Sequence, residues 1–144
     1  MYFVAIYFIL VFRDVFHRDF FLDMFASRTN AKCEKYVSWL KDPYAYKVDA
    51  FFFNWKDFFF YEFLPFCIIL KIFKKIMHEK SCGIMVVPLW QTQPWFPLFN
   101  KMLTNKPIYF KPSKNLLLSS DRKLHPLWSH LTLVVGRLSG KHRN

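Results

Sequence analysis

Three cysteines, five histidines and ten carboxylates are the groups from which this 144-residue sequence could assemble a reactive site. Their spacing restricts the chemistry. Cys33, Cys67 and Cys82 stand far apart with no CxxC between them, and His125 and His130 lack a second ligand pair. Neither a disulfide framework nor a structural zinc site is expected, and no metal is assigned. Each Cys reads as a small apolar side chain in a reducing compartment, which favours a nuclear or cytoplasmic location over secretion. Asp14, Asp19 and Asp23 do not form the paired-carboxylate cluster that a metal-dependent polymerase or nuclease needs. With three glycines in the chain, no GxGxxG or GxxxxGK[ST] occurs, so dinucleotide-fingerprint and P-loop chemistry are excluded.

Charge points to a partner rather than a reaction. Residues 1–100 carry 12 basic and 9 acidic side chains, whereas residues 101–144 carry nine basic ones against Asp121 alone. Lys111, Lys114, Arg122, Lys123, Arg137, Lys141 and Arg143 are candidate contacts to a nucleic-acid backbone, attracted without base specificity and screened by salt. A solvated, weakly ordered basic tail is the plainer alternative. Trp55, Trp90, Trp95 and Trp128 are candidate stacking rings, although in a chain with 19 Phe most rings are expected in the core. The runs Phe51–Phe53 and Phe58–Phe60 are β-prone, charge-poor windows capable of self-association.

The elements that must hold such groups follow from periodicity. Ile69, Ile72, Phe73 and Ile76 recur at spacings of three and four opposite Lys71, Lys74 and Lys75, which predicts an amphipathic helix over residues 68–80 with Gly83 at its stop. Ile84–Val87 reads as a buried strand halted by Pro88. Residues 22–26, 36–39, 58–63 and 131–135 are further strand candidates, the last ending before Gly136. Residues 95–103 read as a short helix with Pro94 near its first turn. Strands alternating with helices predict an α/β fold, with residues 1–20 an apolar N-terminal segment, unstructured or helical, 21–103 the core and 104–144 a basic segment outside the rhythm that holds the last strand candidate.

The uncharged run of 11 residues from Tyr2 to Phe12 is too short for a spanning helix, which needs about 20. Membrane attachment through residues 2–12 stays a minor alternative. The longer run from Ser81 to Asn100 is broken by Pro88, Pro94 and Pro97.

Three segments carry a resemblance: DMFASRTNAKCEKYVSW (23–39), KVDAFFFNW (47–55) and GIMVVPLWQTQPWFPL (83–98), joined by EFLPF (62–66) and followed by HPLW (125–128) and GRLSG (136–140). Together they resemble the C-terminal region of DIRS-like, tyrosine-recombinase retroelement polyproteins, downstream of reverse transcriptase and ribonuclease H. More distantly they are similar to phage-type DNA N6-adenine methyltransferases. The resemblance implies a degenerate, incomplete Rossmann-like methyltransferase sheet with helices on its faces. It implies that Asp23, Ala26 and Asn30 fall at the methionine end of an S-adenosylmethionine pocket, and Asp49 with Ala50 in the second cofactor segment. Pro65 and Phe66 fall in the catalytic motif as a base-stacking remnant.

Methyl transfer to an exocyclic amine needs an Asn or Asp oxygen to accept the amine proton, rigid prolines after it, and a ring that stacks on the flipped base. The corresponding positions are Phe63, Leu64, Pro65 and Phe66. The acceptor is missing, and Glu62 sits one residue away, on the opposite side of an extended segment. The expectation is a polyprotein-derived domain without catalysis. No cofactor is expected, S-adenosylmethionine binding only if the vestigial pocket survives.

Overall fold

The computed structural model describes residues 2–4, 21–23, 35–38, 44–45, 47–62, 66–114, 117–119 and 126–141. These residues have mixed α/β structure. In chain order the strands are β1 (Tyr2–Val4), β2 (Phe21–Asp23), β3 (Lys35–Ser38), β4 (Lys47–Val48), β5 (Phe59–Glu62), β6 (Cys82–Pro88), β7 (Ile108–Phe110), β8 (Leu117–Ser119) and β9 (Leu133–Ser139). Two helices, α1 (Ile69–Glu79) and α2 (Phe96–Met102), flank β6 in the chain. The main sheet has the order β4-β3-β2-β5-β6-β9-β7, and β1 pairs with β8 separately. From β4 to β6 every neighbouring pair is parallel, whereas β9 runs antiparallel to both β6 and β7.

Four strands, β5-β6-β9-β7, and the two helices make the mixed-sheet core. α1 forms because its apolar residues share one face: Ile69, Ile72, Phe73 and Ile76 are all buried. They pack with Phe60, Met85, Val87, Val134 and Leu138 of the sheet and with Trp95, Phe96, Phe99 and Met102 of α2 and the residue before it. Each such side chain contributes roughly 1.5–3 kcal/mol by leaving water. Phe73 joins the two helices, 6.0 Å from Trp95 and 6.2 Å from Phe99 between ring centroids. Phe59, Tyr61, Ile84, Val86, Leu133 and Val135 alternate with these residues, so they line the opposite face, and they are buried too. Burial on both faces is why Ile84–Val87 is an unbroken apolar run.

Several sequence expectations need correction. The stop of α1 is Lys80, at φ 54° and ψ 41°, whose N–H reaches the carbonyl of Ile76. Gly83 instead lies inside β6, where a Cβ would collide with the ring and carbonyl of Phe60. Pro97, not Pro94, occupies the first turn of α2, where a missing N–H costs nothing. β9 runs through Gly136 rather than ending there, because a Cβ at that position would strike Leu103 and come within 2.9 Å of Phe99 Cζ. Residues 131–140 are therefore no solvated tail: β9 is an interior strand with Leu133, Val134, Val135 and Leu138 buried.

Candidate functional site

The parallel strands end on one edge of the sheet, and two of the sequence-predicted residues, Asp23 and Asp49, fall at strand ends there. β2 ends at Asp23, β4 is followed at once by Asp49, and β5 ends at Glu62, just ahead of Pro65 and Phe66. The order reverses between β2 and β5: the chain proceeds outward to β3 and β4, then returns to β5 and β6. Open α/β sheets form ligand crevices outside the carboxyl ends of their strands at such a reversal. Asp23 is in register with Tyr61, so the backbone of Glu62 lies one rung beyond Asp23 on the adjacent strand.

Asp49 is further off. Asp23 pairs with Tyr36, and Ser38 with Val48, so Asp49 sits three rungs further along and two strands across. At ordinary strand spacings that is about 14 Å between Cα atoms, too far for the two carboxylates to share one proton or one ion. Asp49 also has a local task. At φ 60° it caps the short 3-10 turn Ala50–Phe52, its Oδ1 accepting from the Phe51 N–H at 3.0 Å. Phe66 opens a second such turn, Phe66–Ile68, that leads into α1. Ala26, Asn30, Phe63, Leu64 and Pro65 lie outside the described residues, as do Arg122, Lys123 and Arg143.

Among the aromatic candidates Trp55 is fully buried and Trp95 is 5% exposed, so neither can stack on a base. Trp55 is held by its indole N–H, which donates to the Ala50 carbonyl at 2.9 Å. Of the basic candidates, Lys111, Lys114 and Lys141 are exposed, while Arg137 is partly buried on β9 with its guanidinium 5.5 Å from the Phe59 ring centre. Cys67 is a free, exposed thiol, and Cys82, also free, lies 3.4 Å from the Ser139 hydroxyl.

The opposite edge of the sheet holds polar groups that sequence reasoning missed. Glu79, at the end of α1, is buried; its Oε1 accepts from the Trp55 N–H at 2.7 Å and its Oε2 from Lys75 Nζ at 2.6 Å. Lys75 also donates to the Phe53 carbonyl at 2.9 Å. This cluster fastens the aromatic segment 50–58 to α1, and all its donors are spent on the fold. The only sequence signal was the i,i+4 spacing of Lys75 and Glu79.

No protein-family model, curated protein or solved structure matches this chain. Among the described residues no three His, Cys, Asp or Glu side chains are grouped to hold a metal ion, and no helix is long and apolar enough to cross a membrane.

Proposed function

We propose that this chain is a retroelement-derived polyprotein segment built on a methyltransferase-like, Rossmann-type sheet that no longer transfers methyl groups. The observation carrying the reading is the strand order. β4-β3-β2-β5-β6 reproduces the 3-2-1-4-5 order of a doubly wound sheet, with the reversal beside Asp23 and the residues that lead into Phe63-Leu64-Pro65-Phe66. In the sequence, the motif by which the chain resembles adenine N6-methyltransferases directly follows β5, a strand at that reversal. At its first position stands Phe63, whose ring accepts no hydrogen bond, so an incoming amine keeps its proton and its lone pair is not directed at a sulfonium carbon. Incubation with radiolabelled S-adenosylmethionine and single-stranded or duplex DNA is expected to leave label at the level of a denatured control. Incorporation above that level overturns the reading.

A second reading, a sequence-independent nucleic-acid-binding module, is favoured by one observation. Beyond Glu79 the chain contains a single acidic residue, Asp121, so β6, α2, β7 and β9 carry no acidic residue at all. Phosphate attraction needs no more than such a field. Affinity for DNA that is flat between low and moderate salt removes this reading.

A further inference from the structure

Resting on the nucleic-acid reading, we propose that the β7 edge of the sheet is a binding track for single-stranded nucleic acid, with Tyr109 as its stacking ring. Among the described residues β7 pairs with β9 alone, which makes it the last strand on that side of the sheet. Tyr109 is in register with Val134 and is 56% exposed, whereas Trp55, Trp95, Phe96 and Phe99 are consumed by the core. Ile108, 38% exposed, belongs to the opposite face with its register partner Val135, so Tyr109 is the ring on its own face of β7.

Exposed lysines flank β7 in the chain. Lys106 precedes β7, Lys111 follows it, Lys114 lies three residues further, and Lys101 projects from α2. Lys111 is two residues from Tyr109, hence about 7 Å along an extended chain and on the same side. Residues 80–120 contain no Asp or Glu, so this stretch itself carries no charge that repels a phosphate. Lysines and the flanking Pro107 and Pro112 also discourage edge-to-edge strand pairing, but that task needs no exposed aromatic ring. A ring between cations is what unpaired bases use: stacking is sequence-tolerant, and the lysines follow the backbone. A duplex hides its base faces, and an acidic peptide gains little from the ring.

Fluorescence anisotropy of the full chain with a labelled oligothymidylate of roughly twenty nucleotides, and with a duplex of equal length, tests the proposal. The single strand is expected to bind more tightly than the duplex. Three backbone contacts from Lys101, Lys106 and Lys111 give a log–log salt slope of about −2. Tyr109→Ala is expected to weaken single-strand binding about tenfold and leave that slope unchanged, while Tyr109→Phe retains the parent affinity. Lys106→Gln with Lys111→Gln lowers the slope by about 1.4. Parent-like affinity in Tyr109→Ala, or duplex binding equal to or tighter than single-strand binding, overturns the track while leaving a basic module in place. Preference for phosphatidylserine vesicles over the oligonucleotide overturns it in favour of an anionic lipid surface. Absence of salt-dependent binding to either nucleic acid defeats the module and the track together.

Discussion

The chain up to Glu79 and the chain after it share one apolar core but differ in what fastens them besides it. The first stretch contains nine of the ten acidic residues, and its best-defined fastening is polar: one buried carboxylate gathers the Trp55 N–H and the Lys75 ammonium. The second stretch contributes β6, α2, β7 and β9, contains Asp121 as its only acid, and packs by close apolar approach at Gly83 and Gly136. The carboxylate that fastens the fold and the surplus of basic residues thus fall in different parts of the chain.

Three substitutions break or sharpen that contrast. Glu79→Ala acts on the polar fastening and is expected to cost about 3–5 kcal/mol, because it strands a buried N–H and a mostly buried ammonium. The urea midpoint should fall accordingly. A loss under about 1 kcal/mol would mean that apolar packing alone is enough to hold the first stretch. Gly136→Ala acts on the apolar fastening. The new methyl meets Leu103 and the Phe99 ring, and about 1–3 kcal/mol of overpacking is expected, measurable as a lowered thermal midpoint. Lys80→Gly acts at the junction between the two stretches. Removing the side chain from a left-handed residue is expected to stabilise by about 0.5–1 kcal/mol, readable as a raised urea midpoint.

The elements legible from residue types alone are those whose signal is local. The spacing of Ile69, Ile72, Phe73 and Ile76 predicts α1 within a residue of each end, and the run Ile84–Val87 lies within β6. Long-range contacts decided the rest. Glu79 looks like one more residue of a polar helix face, and only the approach of Trp55, 24 residues earlier, makes it a buried anchor. Gly83 and Gly136 look like punctuation, yet each is the one residue type that lets a neighbouring side chain close onto the sheet. At the carboxyl edge, Asp23 closes β2 and Asp49 directly follows β4, and the cap made by Asp49 follows an ordinary tendency of Asp. Tyr109 carries no sequence signal that sets it apart from six other tyrosines; its exposure on an edge strand does.

β9 is the last strand in chain order, yet it sits between β6 and β7. During synthesis β6 emerges about fifty residues before its antiparallel partner, with an unbonded edge seven residues long and an apolar surface on each side. Such an interval invites mispairing between nascent chains, and translation speed over that stretch governs how much of the product reaches the native state. Slowing the ribosome before residue 133 should lower soluble yield, and supplying a peptide that spans residues 131–141 in trans should restore part of it.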